Sequence, residues 1–515
     1  MLKIFPELAI DWYKNAHRPA YPKGTQNTVS TWTARATKIK GINEVVVAGN
    51  QMFCQGVLIE LWDEMFFKQP KHEVVARFER YVKNCLFDNK PFSEHIAALH
   101  DVGYLPIEIK ALPEGTVVPI RTPMLTIEAT MDEFYWLPTY LETQLSSELW
   151  PVYTAATISH NSRKTLEYWQ VKTGGPPDFV SWQSHDFSMR GMMGLYAGAL
   201  TGLGHLLSFF GTDTVTAIMA SEQFYKADME KGIIGGSVNA LEHSTQMTCI
   251  EVRLSEMLDN KDPVDAEIDV ILQQITEIYK TGIISIVMDT NDYFRVIRAL
   301  GRPAVKAAIM AREGKLVCRP DSGDPFLILT GNPDASGDEK LGTMNILWEI
   351  FGGTENSLKF KELDSHIGAI YGDSITLSLQ EKISQKLFDM QYASTNVVYG
   401  LGSFTFQYNT RDTFGHAMKT VWTLRNGVQF KVAKNPKTDD GTKRSQRGCV
   451  AVFRKPDDTI GWLDGLSYEQ AQNYPGNLLT TIFKNGKMVV YEELNVIRER
   501  LALHTKKRVL ERLAG

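Results

Sequence analysis

The sequence predicts an α/β protein. An irregular parallel β/α barrel is expected over residues 151–405. It is joined to an α+β domain whose antiparallel sheet is built from both chain ends, residues 1–150 and 406–515. Three observations carry this. From residue 178 onward, apolar runs end in polar tips and are followed by amphipathic stretches, the signature of crossover units in a parallel sheet. Beyond residue 410 the pattern reverts to alternation through two Asn-Gly turns, at Asn426-Gly427 and Asn485-Gly486. Short alternating segments near residues 29–38 and 105–130 supply matching strands from the other end of the chain.

Taken in order, AIDWYKNAHRPAYPKGT starts helix-like and stops at Pro19, Pro22 and Gly24. VSTWTARATK alternates as a strand. EVVARFERYVKNCLF has helical spacing. LPIEIKALPEGTVVPIRTPMLTIEAT reads as short strands with a turn at Pro113-Glu114-Gly115. TYLETQLSSELW and TAATISHNSRKTLEYWQ read as two helices. FVSWQSHDF reads as a strand with a polar end, and FFGTDTV ends in Thr212 and Asp213. AEIDVILQQITEIYK is a patterned helix, and IISIVMDTND is a buried strand ending at Asp289. YFRVIRALGRPAVKAAIMAREG is helical but broken near Pro303. HIGAIYGDS and NVVYGLGSF are strands ending in Gly372-Asp373 and Gly400-x-Gly402. The C-terminal IRERLALHTKKRVLERL is an amphipathic helix with a basic face.

The centre of the pattern is Lys315–Pro325. A short apolar run stops at Arg319-Pro320-Asp321-Ser322-Gly323-Asp324-Pro325, handing a cation and two carboxylates to a loop. The stretch Gly191–Gly211 has no formal charge and is nearly of membrane length. Its six glycines and His205 favour a helix packed inside a barrel wall over a membrane dimer.

Composition narrows the function. Net charge is −5, which argues against a dedicated nucleic-acid binder. Five scattered cysteines without CxxC spacing argue against a disulfide framework or a zinc site. The first residues, MLKIFPELAIDWYK, lack the apolar core of a signal peptide, so a cytoplasmic, membrane-free protein is expected.

At the expected barrel rim stand Arg190, Asp213, His243, Asp289, Arg319, Asp321, Asp373 and Arg411. Guanidinium groups match phosphate oxygens. Aspartates beside them suit ribose hydroxyls or Mg²⁺. Gly372 and Gly400–Gly402 suit close approach of backbone to a phosphate. No Walker A or Rossmann fingerprint is present. Each residue also has a bland role: a rim aspartate commonly caps a helix, Arg319 can simply pair with Asp321, and Phe187 can be core.

The segments HDFSMRG, FFGTDTV, GGSVNALEHST, VMDTND, RPDSGDP, YGDS, TRD at 410–412 and IFKNGK occur in an order that resembles the nicotinamide phosphoribosyltransferases. These are type II phosphoribosyltransferases. The resemblance implies transfer of a phosphoribosyl group from phosphoribosyl pyrophosphate to nicotinamide, in NAD salvage. Mg²⁺ and ATP would be the cofactors, in a homodimer with shared active sites. It assigns phosphate or pyrophosphate to Arg190 and Arg319, the ribosyl part to Asp321, Gly372 and Asp373, and phosphate to Arg411, with Lys419 and Lys434 as weaker candidates. Phe187 would stack on one face of nicotinamide and Tyr13 of the other subunit on the opposite face. Asp213 would accept from the carboxamide, and Arg35 would reach a phosphate across the dimer. His243 would be phosphorylated by ATP, with Asp289 orienting it. The metal ligands are left unassigned.

Three positions depart from the family pattern. GLGSF carries Ser403 and Phe404 where glycines are usual, leaving Ser403 to donate its hydroxyl, and Thr37 replaces a lysine. Two other readings are a nicotinate phosphoribosyltransferase, against which Asp213 argues, and a catalytically silent signalling or interaction protein on the same fold.

Overall fold

The computed structural model describes residues 2–88, 92–258, 261–372, 374–438 and 443–515. The chain forms two compact units. One comprises Met1–Thr157, Ala217–Gly232 and Asn409–Ala502; the other comprises Ile158–Thr216, Ile233–Tyr408 and Leu503–Gly515. The division expected at residues 150 and 405 assigns Ala217–Gly232 and Leu503–Gly515 differently.

The second unit holds a six-stranded parallel sheet. In spatial order its strands are Ser184–Asp186, Val397–Leu401, Ile367–Tyr371, Glu313–Arg319, Thr281–Val287 and Asn239–Leu241. The register is continuous, with Val287 opposite Arg319 and Ala369 opposite Cys318. Two further parallel bridges, Asp186 to Thr212 and Gly211 to Gly236, link the region of the two edge strands and curl the sheet into an irregular barrel. Ile284, Ile286, Leu316, Cys318, Val397 and Tyr399 are fully buried. Such strands read as nearly continuous apolar runs because both faces are covered.

The first unit holds a seven-stranded sheet made from both ends of the chain. Its order is Val428–Lys431, His416–Arg425, Thr25–Ala34, Pro123–Ala129, Ile107–Ala111, Thr480–Lys484 and Lys487–Met488. Every pairing in it is antiparallel. Both Asn-Gly hairpins form as expected. Asn426 and Asn485 have φ of 47° and 50°, and the following glycines 74° and 73°, the two left-handed residues a tight hairpin requires.

Several elements differ from the expectation. TYLETQLSSELW and TAATISHNSRKTLEYWQ largely fall within one 32-residue helix, Glu142–Thr173, that runs through Pro151. Proline removes one backbone bond, but Leu149, Val152 and Tyr153 beside it are fully buried, so packing carries the helix across. FVSWQSHDF is mostly a 3-10 turn, Pro177–Trp182, and only Ser184–Asp186 is strand. The glycine-rich stretch contains a 12-residue helix, Leu195–Leu206, with Gly198, Gly202 and Gly204 buried. Among the described residues no helix is long and apolar enough to cross a membrane.

Candidate functional site

The carboxyl ends of the parallel strands carry one connected chain of contacts, all within the second unit. Glu313–Arg319 is a central strand, and Arg319 is its last residue. Pro320, with no N–H, ends the ladder and turns the chain so that Asp321 faces back. Arg319 then donates Nε to Oδ1 of Asp321 at 3.1 Å and Nη2 to Oδ2 at 3.2 Å. Among the described residues nothing takes Nη1, which leaves a donor on a buried guanidinium. The bland reading of Arg319, a pair with Asp321, is therefore present. It fixes the guanidinium rather than consuming it. Asp324 is different. It caps the helix Pro325–Thr330 by accepting the N–H groups of Phe326 and Leu327, so the second carboxylate of the loop is structural.

Gly372 explains how the fork fits. A Cβ there would lie 2.4 Å from Oδ1 of Asp321 and 2.8 Å from Nε of Arg319. Gly400 is in turn packed on Gly372, whose Cα would be 2.7 Å from an added Cβ. The Cβ side of both glycines is therefore filled by the protein's own ion pair and backbone. Asp373 lies outside the described residues.

Asp289 joins this fork to the histidine. It sits two residues past the strand Thr281–Val287, and its side chain is 4% exposed. Oδ2 accepts the Asp321 N–H at 2.9 Å and the Ser322 hydroxyl at 2.6 Å; Oδ1 accepts from Nε2 of His243 at 2.9 Å. Burial pushes its carboxyl up, but these bonds outweigh it, the Ser322 hydroxyl first, and hold it below the ordinary range. A carboxylate only accepts, so Nε2 of His243 carries a proton, and in the neutral ring the lone pair is then on Nδ1. His243 is also the first residue of the 14-residue helix His243–Glu256, whose N-terminal dipole favours negative charge.

On the other side, the Arg319 guanidinium lies 5.0 Å from the centre of the Phe187 ring, which stacks on His185 at 4.4 Å. Nε2 of His185 bonds Oδ1 of Asp213 at 2.8 Å, and the Ser237 hydroxyl donates to the same oxygen. Burial raises the Asp213 carboxyl, but the bonds from His185 and Ser237 prevail and its pKa is lowered. Among the described residues nothing bonds Oδ2, and the side chain is 42% exposed, so an acceptor remains open. Arg190 is largely exposed and pairs at 3.4 Å with Glu242. Ser403 sits where Gly191 leaves room: a Cβ on Gly191 would be 2.2 Å from its hydroxyl oxygen.

The remaining expected residues gather in the first unit. Tyr13 is 62% exposed. Lys419 is acted on by the charges of Arg35, Arg411 and Lys434. Arg411 also acts on Tyr13. Arg411, grouped by the sequence with the rim residues, is thus one of several cations that act on Lys419 within the first unit.

Sequence reasoning missed His185, Ser237 and Ser322. All lie inside motifs that were singled out. Ser184-His185-Asp186 could have been found as three successive buried polar residues in a strand, which is costly unless each is bonded. Among the described residues no group of three or more His, Cys, Asp or Glu is clustered to hold a metal ion.

Residues 182–487 match the nicotinate phosphoribosyltransferase (NAPRTase) family. A nicotinamide phosphoribosyltransferase of Acinetobacter baylyi is 43% identical over 513 residues, covering 97% of each chain. One of Xanthomonas campestris is 31% identical over 419 residues, covering 79% of this chain and 82% of its own. The crystal structure of nicotinate-nucleotide pyrophosphorylase from Pyrococcus furiosus has a TM-score of 0.56 at 14% identity, with 98% of this chain and 99% of that chain covered, and shares the fold. With a family match over more than half its length and a relative this similar along nearly all of it, the chain belongs to the nicotinate phosphoribosyltransferase family.

Proposed function

We propose that this protein is a nicotinamide phosphoribosyltransferase of NAD salvage. It joins the ring nitrogen of nicotinamide to C1 of phosphoribosyl pyrophosphate, releases pyrophosphate, and couples the reaction to ATP through a phosphohistidine. The observation that carries this reading is the unbroken chain His243–Asp289–Asp321–Arg319–Phe187–His185–Asp213. It ties a nucleophilic imidazole, a ribose-facing carboxylate, an anion-binding guanidinium and an amide acceptor into one rim.

The transition state is oxocarbenium-like at C1, with charge building on pyrophosphate. Catalysis is then mostly positioning and electrostatics. Arg319 and Arg190 meet the leaving group, and Asp321 meets the ribosyl hydroxyls. Phe187 packs against the pyridine, and Oδ2 of Asp213 accepts from the carboxamide N–H. A nicotinate carboxylate at that place would face like charge.

In the coupled step, the Nδ1 lone pair of His243 attacks the γ-phosphorus of ATP and ADP leaves. The positive charge on the imidazole is shared with Asp289 through Nε2–H. Water later takes the phosphoryl group. Mg²⁺ prefers phosphate oxygens and water with one or two carboxylates. The rim carboxylates Asp289 and Asp321 already accept protein donors, so Mg²⁺ would enter with the pyrophosphate of the substrate, where it would neutralise leaving-group charge.

Tyr13, Arg35, Arg411, Lys419 and Lys434 supply the second aromatic face and further phosphate contacts, within a cytoplasmic homodimer that shares its active sites. The five cysteines, all free thiols, suit that compartment.

The test is competition of nicotinamide and nicotinate for phosphoribosyl pyrophosphate in one reaction. Nicotinamide mononucleotide should dominate. Preferred use of nicotinate would overturn the assignment.

A further inference from the structure

Glu142 opens the helix Glu142–Thr173, and its two carboxylate oxygens reach two different lysines. Oε2 lies 2.8 Å from Nζ of Lys14, and Oε1 lies 3.7 Å from Nζ of Lys419. Lys14 is only 2% exposed and also donates to the Thr139 carbonyl at 2.9 Å. The next residue, Thr143, accepts the Asp11 N–H at 2.9 Å and donates its hydroxyl to Oδ2 of Asp11 at 2.8 Å. Tyr13 is thus flanked by Asp11 and Lys14, both tied to the first turn of one helix.

Lys419 lies among like charges. Burial disfavours its ammonium most, and Arg35, Lys434 and Arg411 add to that; Glu142 is the acid that acts against them. A buried cation such as Lys14 needs a partner, and a cluster of cations needs a counter-charge to stay assembled. One carboxylate serves both.

We propose that Glu142 is a positioning residue that sets the aromatic platform of Tyr13 and the phosphate-binding ammonium of Lys419 as one piece, touching no substrate atom itself. This rests on the phosphoribosyltransferase reading above.

Glu142→Gln tests it, since it keeps the shape and an acceptor for Lys14 but removes the charge. The expected result is KM raised about tenfold for both nicotinamide and phosphoribosyl pyrophosphate, with kcat nearly unchanged. The rise for phosphoribosyl pyrophosphate should steepen toward alkaline pH, because Lys419 releases its proton earlier. Lys419→Met should raise KM for phosphoribosyl pyrophosphate only, and the double variant should be no worse for that substrate than Lys419→Met. Glu142→Asp, which keeps the charge, should recover part of the loss and serves in its place if Glu142→Gln does not fold.

Parental KM values in Glu142→Gln, or losses that multiply in the double variant, would overturn the inference while leaving the function intact. A parent that forms no nicotinamide mononucleotide would take both down.

Discussion

The dyad of His243 and Asp289 makes the sharpest prediction. Asp289→Asn changes one atom of a carboxylate that accepts three bonds: His243 at Oδ1, and the Asp321 N–H and Ser322 hydroxyl at Oδ2. The new amide has one acceptor and one donor end. Turning the NH₂ toward Asp321 and Ser322 would set it against the obligate donor Asp321 N–H, at about 1–3 kcal/mol. The oxygen therefore stays there, and the NH₂ faces Nε2 of His243. Nε2 must then accept, and the proton moves to Nδ1, the atom that attacks ATP. The fold keeps its bonds while the nucleophile holds the wrong tautomer. Forcing a catalytic histidine into the wrong tautomer elsewhere costs on the order of 10⁴-fold in rate, about 5 kcal/mol. Labelling with γ-phosphate-labelled ATP should show phosphohistidine formation reduced by about that factor. Uncoupled nicotinamide mononucleotide synthesis should persist, as it should in His243→Ala. Phosphohistidine forming at the parental rate in Asp289→Asn would refute the tautomer argument.

Two further outcomes are expected. Gly372→Ala places a methyl 2.4 Å from Oδ1 of Asp321 and 2.8 Å from Nε of Arg319, so the fork must move. We expect a melting temperature lowered by an overpacking cost of about 1–3 kcal/mol and kcat/KM reduced by about 10², read by calorimetry and product formation; parental values for both would contradict the packing argument. His416 is fully buried beside Trp32, with neither ring nitrogen bonded among the described residues. Burial, and then the charge of Arg411, lower its pKa to about 3. The folded state therefore rejects a proton that the unfolded chain accepts near pH 6.5. Stability from this group is present above that pH and lost as pH falls, by about 2 kcal/mol between pH 7 and 5. Denaturant titrations should show that His416→Phe removes this part of the acid sensitivity; an unchanged difference between the two pH values would contradict the sign.

Much of this was legible in the letters, and the reasons are local. Asn-Gly allows one kind of tight turn, so both hairpins were readable. Arg319-Pro320-Asp321 ends a ladder by covalent chemistry, so the strand tip was readable too. What failed was what packing decides. TYLETQLSSELW and TAATISHNSRKTLEYWQ read as two helices and are one, because buried neighbours of Pro151 hold the helix through it. Of the two carboxylates handed to the loop after Arg319, Asp324 is a helix cap. Nor was it readable that Arg35, Arg411 and Lys434, from separate stretches of chain, all act on Lys419.

The sequence by itself determined the residue types, their order along the chain and the turns that end each strand, because these follow from backbone stereochemistry within a few residues. Only the tertiary structure decided which groups meet. His185 with Asp213, Glu142 with Lys14 and Lys419, and Gly372 under the Arg319–Asp321 fork are each contacts across many residues of sequence or across neighbouring strands. Their existence depends on how strands register and helices pack, and no local spacing encodes that.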